Sequence, residues 1–489
     1  MSTSALSRRQ TRAVHRVPHP NLVLAVITCG YLMVVLDTTV VNVALPRIQT
    51  SLDFSSTGLS WVMNAYMLAF GGLLLLGGRS GDIFGRRRVL LGGVAVFTIA
   101  SLLGGCATSA GWLLAARAVQ GAGGAFIAPS GLALIATNFT EGAARNRALS
   151  IYALVAGAGG AVGLIVGGAL TDLASWRWGL FINIPVGLAL MVLAPRYIQE
   201  PERRPGRLDF AGALTATLGV ASLVYACIRA STEGWTDSVT LATFVAAAGL
   251  LVLFVAVETR APEPIMPLWL FANRNRTGTY AAMLLIPATM YGAFFFLTQF
   301  VQEVLGVSPL VAGLSFLPIM LPMFVTVRLV PRLLAAVGPR RLQLTGATLL
   351  LIATAWLSRL TGDTAYAAGV LGPMVLFGTG AGLVVMPANV VILSGVGRHE
   401  AGAASGLLQT MQWVGGSLGL AVLVTVFDTA RRGAPAGSTA AAALSRGIGT
   451  AFGVSLLFVC LALVVLAVVV RPAAPRQQPA EVVQEPAAA

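Results

Sequence analysis

The sequence predicts an all-α membrane protein with fourteen transmembrane helices. Of its 489 residues, 56% are hydrophobic and only 10% are charged, and the mean hydropathy is +0.83. Soluble proteins carry about 25% charged residues, so this composition indicates a chain that crosses a membrane many times. A helix needs about 20 apolar residues to cross a bilayer, and the run at 341–358 meets this need least well. Apolar runs of spanning length lie at 21–45, 58–77, 88–107, 112–135, 148–171, 179–198, 208–230, 238–257, 278–301, 308–330, 341–358, 366–392, 401–427 and 446–470.

The placement of arginine predicts how these spans are oriented. All 32 basic residues are Arg, and most of them fall in hydrophilic segments on the same side as the N-terminus. Positive residues concentrate in cytoplasmic loops, and the number of spans is even, so both termini are expected in the cytoplasm. The net charge of +14 then follows from topology and not from a nucleic-acid-binding surface. We therefore expect a multi-pass protein of the cell inner (cytoplasmic) membrane that has the lipid bilayer, and no nucleic acid, as a partner.

A weak internal repeat predicts two halves of six helices each. Gly58-Leu59-Ser60 begins one span, and the same three residue types begin another at 313–315. Gly121 and Gly123 are followed by Pro129, and Gly378 and Gly380 are followed by Pro387 in a similar way. Parallel repeats with a central binding site between them are an established transporter architecture. The predicted domains are a disordered cytoplasmic N-terminus at 1–20, a six-helix bundle at 21–198, two inserted helices with linkers at 199–277, a second six-helix bundle at 278–470 and a disordered cytoplasmic tail at 471–489.

Residue types that are missing or scattered exclude several classes of function. The chain has no Lys, which a phosphate-binding P-loop requires, so ATP-driven pumping by this chain alone is not expected. The four Cys stand singly, and the three His fall in hydrophilic segments, so we expect no disulfide framework, metal site or intramembrane histidine relay. The prediction is a protein that is not an enzyme and needs no cofactor.

Asp37 is the only acidic residue well inside a predicted span. A carboxylate at such depth costs at least ~2.5 kcal/mol, so intramembrane acids usually face a cavity or a partner and have a function. We therefore predict that Asp37 handles a proton. A buried, hydrogen-bonded acid with a structural role only is the alternative. The other acids near the spans, Asp172, Glu258, Glu303 and Asp428, fall at span ends.

The arginine-rich loop 78–88 joins two spans by a tight turn. Gly85 permits backbone geometry that other residues resist. Asp82 can pair with neighbouring arginines and helix ends, which would give a charge clasp that differs between two conformations. A plain anchor of positive charge on the cytoplasmic side is the alternative.

This loop resembles the signature loop of the major facilitator superfamily. The matching residues are Gly78, Asp82, Gly85, Arg86, Arg87 and Leu90. The stretch 36–46, LDTTVVNVALP, is similar to the first-helix motif of the fourteen-helix drug:proton antiporters of the EmrB and QacA type, and 175–187 resembles their sixth helix. The resemblance implies a major facilitator fold with two six-helix bundles and two extra transmembrane helices.

Arg117 begins a stretch, 117–125, that is similar to the fourth-helix pattern of the same antiporters. The resemblance implies that Arg117 assists proton transfer near the first-helix acid, Asp37. A nearby guanidinium favours the charged form of a carboxyl group, while burial favours its neutral form. An arginine whose side chain snorkels to the membrane surface is the alternative.

A glycine-rich helix resembles the antiporter motif of the family at Gly163, Gly167 and Gly168. Leu164 stands where the family has a proline, so a proline-dependent bend is not expected here. Close packing of helices through small residues is the alternative explanation.

Neutral polar and aromatic side chains within the spans are candidates for a pocket that takes large, partly apolar solutes. Helix packing is the alternative for each of them. Antiporters of the family that favour dications can carry an extra acid in the helix corresponding to 308–330, and this span has none, so the resemblance implies no preference for dications. The pocket candidates are Asn42, Asn64, Gln120, Tyr291, Gln299, Asn389, Gln409, Gln412 and Trp413.

Together these features predict a proton-coupled antiporter that exports amphipathic drugs or antibiotics and so confers resistance. Asp37 and Arg117 are the predicted proton-coupling residues. The expected partners are protons and small amphipathic substrates, the proton gradient takes the place of a cofactor, and a monomer is expected. Two alternatives remain: a dedicated exporter of one endogenous metabolite or self-made antibiotic on the same fold, and a membrane enzyme or sensor, for which no catalytic cluster is visible.

Overall fold

The computed structural model describes residues 19–471, except 141, 201–202, 204–205, 207, 398–399 and 436. The segments predicted to be disordered, 1–20 and 471–489, lie outside the described residues apart from 19, 20 and 471. Within the described ranges the chain forms helices and no strand.

Sixteen α-helices follow one another along the described part of the chain. They are α1 (Pro20–Ser51), α2 (Ser60–Phe84), α3 (Arg86–Gly105), α4 (Ala110–Asn138), α5 (Ala143–Leu173), α6 (Trp178–Phe181), α7 (Asn183–Tyr197), α8 (Phe210–Glu233), α9 (Ser238–Glu258), α10 (Arg274–Gln299), α11 (Pro309–Ser315), α12 (Leu317–Val337), α13 (Pro339–Leu357), α14 (Gly372–Leu393), α15 (Ala401–Arg432) and α16 (Ala440–Val468). Shorter turns are a 3-10 turn at Leu268–Ala272 and π-helical turns at Phe300–Val304 and Ala367–Leu371.

Thirteen stretches of helix in the described residues are long and apolar enough to cross a membrane. Helices α6 and α7 together form one of them, and α11 and α12 together form another. The fourteenth predicted span is α13, which falls short because Arg340, Arg341 and Gln343 stand in its first two turns. It nevertheless packs lengthwise against α14 and α16 as its neighbours do. The predicted all-α membrane fold is confirmed.

Side-chain caps fix where several helices begin. An oxygen of a capping side chain accepts a hydrogen bond from a backbone N–H three residues later, which satisfies a donor that the helix itself leaves free. The capping residues are Ser109 for α4, Asp209 for α8, Asp237 for α9, Asn273 for α10, Ser308 for α11 and Thr439 for α16.

Two groups of helices pack within themselves. In the first part of the chain, α4 packs on α2 and α3, α1 on α5, and α3 on α7. In the last part, α14 packs on α12 and α13, and α10 packs on α15 and α16. The hairpin of α8 and α9 leans on α2 and α15 through α8. The division at 21–198, 199–277 and 278–470 stays a prediction.

Contacts between the two groups run through α2 with α15, α5 with α11, and α1 with α10. Thr298 on α10 donates a hydrogen bond to Asn42 on α1 (Oγ1 to Oδ1, 2.7 Å), and Gln302 Nε2 donates to the Val43 carbonyl at 2.8 Å. Only the C-terminal part of α5 is packed in this way, since the residues at 142–158 are mostly exposed. The groups are therefore joined mainly at the end of the molecule where α1 gives way to α2.

Candidate functional site

Asp37 lies midway along α1 and is fully buried. Its carboxylate accepts three hydrogen bonds from three different side chains. Arg117 Nη1 donates to Oδ2 at 2.5 Å, while Gln120 Nε2 and Asn183 Nδ2 donate to Oδ1 at 2.6 and 3.1 Å. The structure thus brings Asp37, Arg117 and Gln120, which the sequence singled out, into one cluster.

Arg117 on α4 points inward, and its side chain is only 1% exposed. Besides Asp37, it donates to Gln120 Oε1 at 2.6 Å and, through Nε, to the Val62 carbonyl at 3.2 Å. The guanidinium carbon lies 4.4 Å from the centre of the Tyr66 ring, within the range of a cation–π interaction. The snorkelling alternative therefore does not describe this residue.

Two members of the cluster, Ser101 on α3 and Asn183 on α7, were not among the candidates. Ser101 Oγ accepts hydrogen bonds from Gln120 Nε2 at 2.7 Å and from Asn183 Nδ2 at 3.2 Å. Both residues are buried. The available signal was Asn183 itself, a lone amide inside the sixth span, whereas a serine in an apolar helix gives no signal at all.

The arrangement suits an ionised carboxylate, because each of its oxygens accepts from at least one N–H donor and one donor is a cation. Removing one partner from a buried ion pair is costly, since the other charge is left in a medium of low polarity. A proton on Asp37 would cancel its charge and add an O–H donor among three N–H donors, which would weaken the hydrogen bonds that hold the carboxyl group. Arg117 Nη2 is buried and has no hydrogen-bond partner among the described residues. The charge on Asp37 is thereby linked to the packing of α1, α4 and α7.

The predicted loop motif forms a clasp at the junction of α2 and α3. Arg86 donates to Asp82 Oδ1 at 2.7 Å and to the Ala133 carbonyl of α4 at 3.1 Å. Gly85 has a φ of +104°, which non-glycine residues rarely adopt, and it allows α2 and α3 to meet in a sharp turn. The Arg87 backbone N–H donates to Glu200 Oε1 at 3.1 Å, which ties the loop to the end of α7.

Two further residues complete this end of α2. Gly78 faces Pro129 of α4, 3.6 Å from where its Cβ would be. Arg79 forms a salt bridge with Glu263 in the connection between α9 and α10. The clasp therefore holds α2 to α4, to α7 and to the inserted hairpin.

Three of the pocket candidates gather where α2, α10 and α15 meet. The Trp413 ring lies 5.6 Å from the ring of Tyr291 and 6.0 Å from that of Tyr66. Asn64 Oδ1 accepts a hydrogen bond from Ser417 at 2.9 Å, and its Nδ2 has no partner among the described residues. Because the guanidinium of Arg117 stacks on Tyr66, this aromatic group touches the Asp37 cluster.

The remaining pocket candidates do not join that group by any contact described here. Asn42 bonds Thr298, as above, while Gln299 and Asn389 donate to carbonyls of their own helices. Gln412 contacts the sulfur of Met283 at 3.8 Å, and Gln409 is half-buried on α15. Helix packing accounts for the contacts of these residues.

The glycines of α5 make close helix contacts. A Cβ on Gly167 would lie 2.6 Å from Val40 Cα on α1, and one on Gly163 would collide with Thr39. A Cβ on Gly168 would lie 2.9 Å from Leu310 Cα on α11. These contacts join α5 to α1 and across to the other group of helices, next to the segment that carries Asp37.

Comparisons with known proteins identify the family to which this sequence is similar. The model of the Major Facilitator Superfamily matches residues 27–420. A cephamycin export protein from Amycolatopsis lactamdurans is 42% identical over 488 residues, which is 98% of each chain. A puromycin resistance protein from Streptomyces alboniger is 44% identical over 409 residues, covering 82% of this chain and 81% of that protein.

A solved structure shares the fold at low sequence identity. The POT family transporter PepTSo superposes with a TM-score of 0.67 and 13% identity, over 92% of this chain and 96% of that one. Such a likeness concerns the arrangement of helices alone.

Proposed function

This chain belongs to the Major Facilitator Superfamily, and we propose that it is a proton-coupled antiporter exporting amphipathic drugs or antibiotics across the cytoplasmic membrane. The observation that carries the proposal is the carboxylate of Asp37, buried in a transmembrane helix and held by Arg117, Gln120 and Asn183. The substrate class is supported by the relatives named for cephamycin export and puromycin resistance.

In this mechanism Asp37 binds a proton from outside and releases it inside. Protonation neutralises the carboxylate and frees Arg117, whose guanidinium then relies on Gln120, the Val62 carbonyl and the Tyr66 ring. The cost of that uncompensated charge favours a conformation in which the arginine finds other partners or water. Loss of the proton restores the ion pair. The aromatic group around Trp413 supplies an apolar, polarisable surface next to this switch, as an amphipathic substrate requires.

The proton gradient can supply the energy for export without a cofactor. One charge entering across 100 mV releases about 2.3 kcal/mol, and one pH unit adds about 1.4 kcal/mol. A neutral substrate exchanged one for one could then be held at a concentration ratio of roughly 500-fold.

We also propose the orientation and assembly. Arg79, Arg86 and Arg87 stand at one end of the helix bundle, and positive residues favour the cytoplasmic side. The beginning of α1 and the end of α16, which Arg274 at the start of α10 contacts, lie at the same end, so both termini would be cytoplasmic. A monomer in the lipid bilayer, with protons and small amphipathic molecules as partners, is the assembly we propose. The family consists of transporters, and we propose no enzymatic activity for this member.

Export of a single self-made antibiotic or other endogenous metabolite is the second candidate. It is favoured by the relative named for cephamycin export, which matches over 98% of both chains. A resistance screen in a host lacking its own efflux pumps separates the two. Resistance to one compound class supports the dedicated exporter, while resistance across unrelated amphipathic classes supports the multidrug exporter.

The mechanism is tested by dye transport in everted membrane vesicles. Asp37→Asn is compared with Asp172→Asn, the same substitution at an exposed position on α5. We expect transport driven by a pH gradient in the wild type and in Asp172→Asn, and none in Asp37→Asn at equal amounts of protein. Undiminished transport by Asp37→Asn would contradict the proposal.

A further inference from the structure

A second pair of carboxyl groups lies at the base of the inserted hairpin. Asp209 precedes α8 and Glu258 ends α9, so the antiparallel packing of the two helices brings these residues to one end. Glu258 is 3% exposed. Each carboxyl group uses one oxygen for a backbone contact: Asp209 Oδ1 accepts from the Gly212 N–H at 2.7 Å, and Glu258 Oε2 accepts from the Met266 N–H at 3.1 Å.

The second oxygens of the two carboxyl groups converge on each other. Asp209 Oδ2 and Glu258 Oε1 are both buried and have no hydrogen-bond partner among the described residues. Glu258 Oε1 lies 2.8 Å from the position that a Cβ would take at Gly212, and Asp209 Oδ2 lies even closer to that point. The missing side chain at Gly212 is what leaves room for them.

The described residues around Asp209 and Glu258 place no cation in direct contact with either carboxyl group. Neither carboxyl group forms a salt bridge with a described residue. Of the charged groups nearby, Arg260 is exposed in the connection after α9, and Glu263 is paired with Arg79 of α2. The other charges of the hairpin, Arg229, Glu233 and Asp237, lie at its far end.

An apolar cluster covers one side of the pair. Leu76 of α2, Ala213 of α8 and Ile265 of the following connection form its buried centre. On another side a cavity of about 440 Å³ is lined by Asp209, Arg260 and Glu263, among others. The cavity reaches Asp209 at the end of the molecule that carries the arginine-rich loop.

Two close carboxylates that have no salt-bridge partner among the described residues repel each other, and one proton shared between them removes the repulsion and satisfies both free oxygens. We propose that Asp209 and Glu258 form a second proton-binding site, which holds one proton between the two carboxyl groups. When the proton leaves, two carboxylates remain and repel each other. The repulsion separates the ends of α8 and α9, which loosens the hairpin where it is tied to α2 through Glu263 and Arg79.

Infrared spectroscopy of the purified protein detects this proton directly. We expect the wild type to show a carboxylic-acid C=O band above about pH 5, where ordinary Asp and Glu side chains are ionised. The band should shift in D₂O, and it should disappear as the pH is raised towards about 9. The band should vanish in Glu258→Gln and in Asp209→Asn, in which Asn keeps the helix cap. It should persist in Glu233→Gln, the same substitution at an exposed position of the hairpin.

A second readout separates this site from the transport mechanism. Asp37→Asn should retain the band of the pair, so failure of the antiport proposal leaves this result unchanged. A folded state that keeps one extra proton loses stability as the pH rises, so the apparent melting midpoint should fall as the pH rises. Because Gln mimics the neutral acid, this pH dependence should flatten in Glu258→Gln. A band unaffected by either hairpin substitution would overturn the proposal, as would a midpoint that depends on Na⁺ or K⁺ concentration and not on pH.

Discussion

Replacing Asp37 by Asn should destabilise the protein mainly because it leaves the buried charge of Arg117 unpaired. The amide is close to the carboxylate in size, but it leaves the guanidinium of Arg117, with a side chain only 1% exposed, without a counter-ion. Removing one partner of a buried ion pair costs about 3–5 kcal/mol. The amide also offers a single acceptor oxygen where the carboxylate has two, so either the Arg117 donor or the Gln120 and Asn183 donors lose their acceptor, which adds about 1–3 kcal/mol.

Removing the stranded charge should recover most of that loss. In Asp37→Asn/Arg117→Gln both members are neutral amides, so we expect a free energy of unfolding within about 2 kcal/mol of the wild type. Arg117→Gln alone should lose about as much as Asp37→Asn, which gives a coupling energy of at least about 2 kcal/mol. Transport should be absent in all three variants, since each lacks the proton-binding acid, the arginine that pairs with it, or both.

The measurement is reversible unfolding in mixed micelles for the four proteins, with Asp172→Asn as the exposed control. If the losses in free energy of unfolding add, so that the double variant is less stable than either single variant, the two residues do not stabilise each other as an ion pair. An Asp37→Asn protein as stable as Asp172→Asn would lead to the same conclusion.

Three other substitutions probe the neighbouring elements. Gly168→Ala should lose about 1–3 kcal/mol of stability and most of its transport, because the new Cβ meets the backbone of α11. The control is Gly157→Ala, whose new Cβ would have its nearest neighbour 3.8 Å away, and it should resemble the wild type in both assays. Asp82→Asn should change the free energy of unfolding by less than about 1 kcal/mol, since its salt bridge is part-exposed, but should slow dye efflux by weakening the clasp; wild-type efflux would count against the clasp. Trp413→Ala should alter which compounds are exported in a resistance panel, while Trp413→Phe keeps the profile, and equal profiles for both would remove Trp413 from the pocket.

Much of the fold follows from the sequence because the bilayer imposes a simple rule. Each span must satisfy its backbone hydrogen bonds internally and present apolar side chains, so hydropathy alone locates it. Helix α13 is the instructive case: Arg340 and Arg341 lower its hydropathy, yet it takes its place between α14 and α16. Its position depends on packing partners that a local pattern does not contain.

The central cluster was only partly predictable, for a related reason. Asp37 and Arg117 stand out because charges are costly in a membrane. Ser101 and Asn183 complete the hydrogen bonding at little cost to an apolar helix, so the serine has no mark in the sequence and the only signal of Asn183 is that it is the lone amide of its span. Glu258 was correctly placed at the end of a span, but its contact with Asp209 depends on how two helices fold back on each other.

The pocket was the least predictable part. Neutral amides and aromatics occur throughout the spans, and a sequence does not tell which of them face a common space. Trp413, Tyr291 and Asn64 meet where α2, α10 and α15 cross. Gln299 and Asn389 bond to their own helices instead. The rotation of each helix about its own axis decides which side chains face a common space. Close contacts between helices, such as those of the α5 glycines, set that rotation.

The most direct test of the central claim is proton movement driven by substrate. Proteoliposomes with a pH-sensitive dye inside and no imposed pH gradient are given a substrate gradient, using the compound with the largest resistance effect in the host screen. We expect protons to move in the direction opposite to the substrate, so that substrate entry raises the internal pH in the wild type and in Asp172→Asn and leaves it unchanged in Asp37→Asn. Substrate flux with no accompanying pH change in the wild type, or an equal pH change in Asp37→Asn, would contradict the claim.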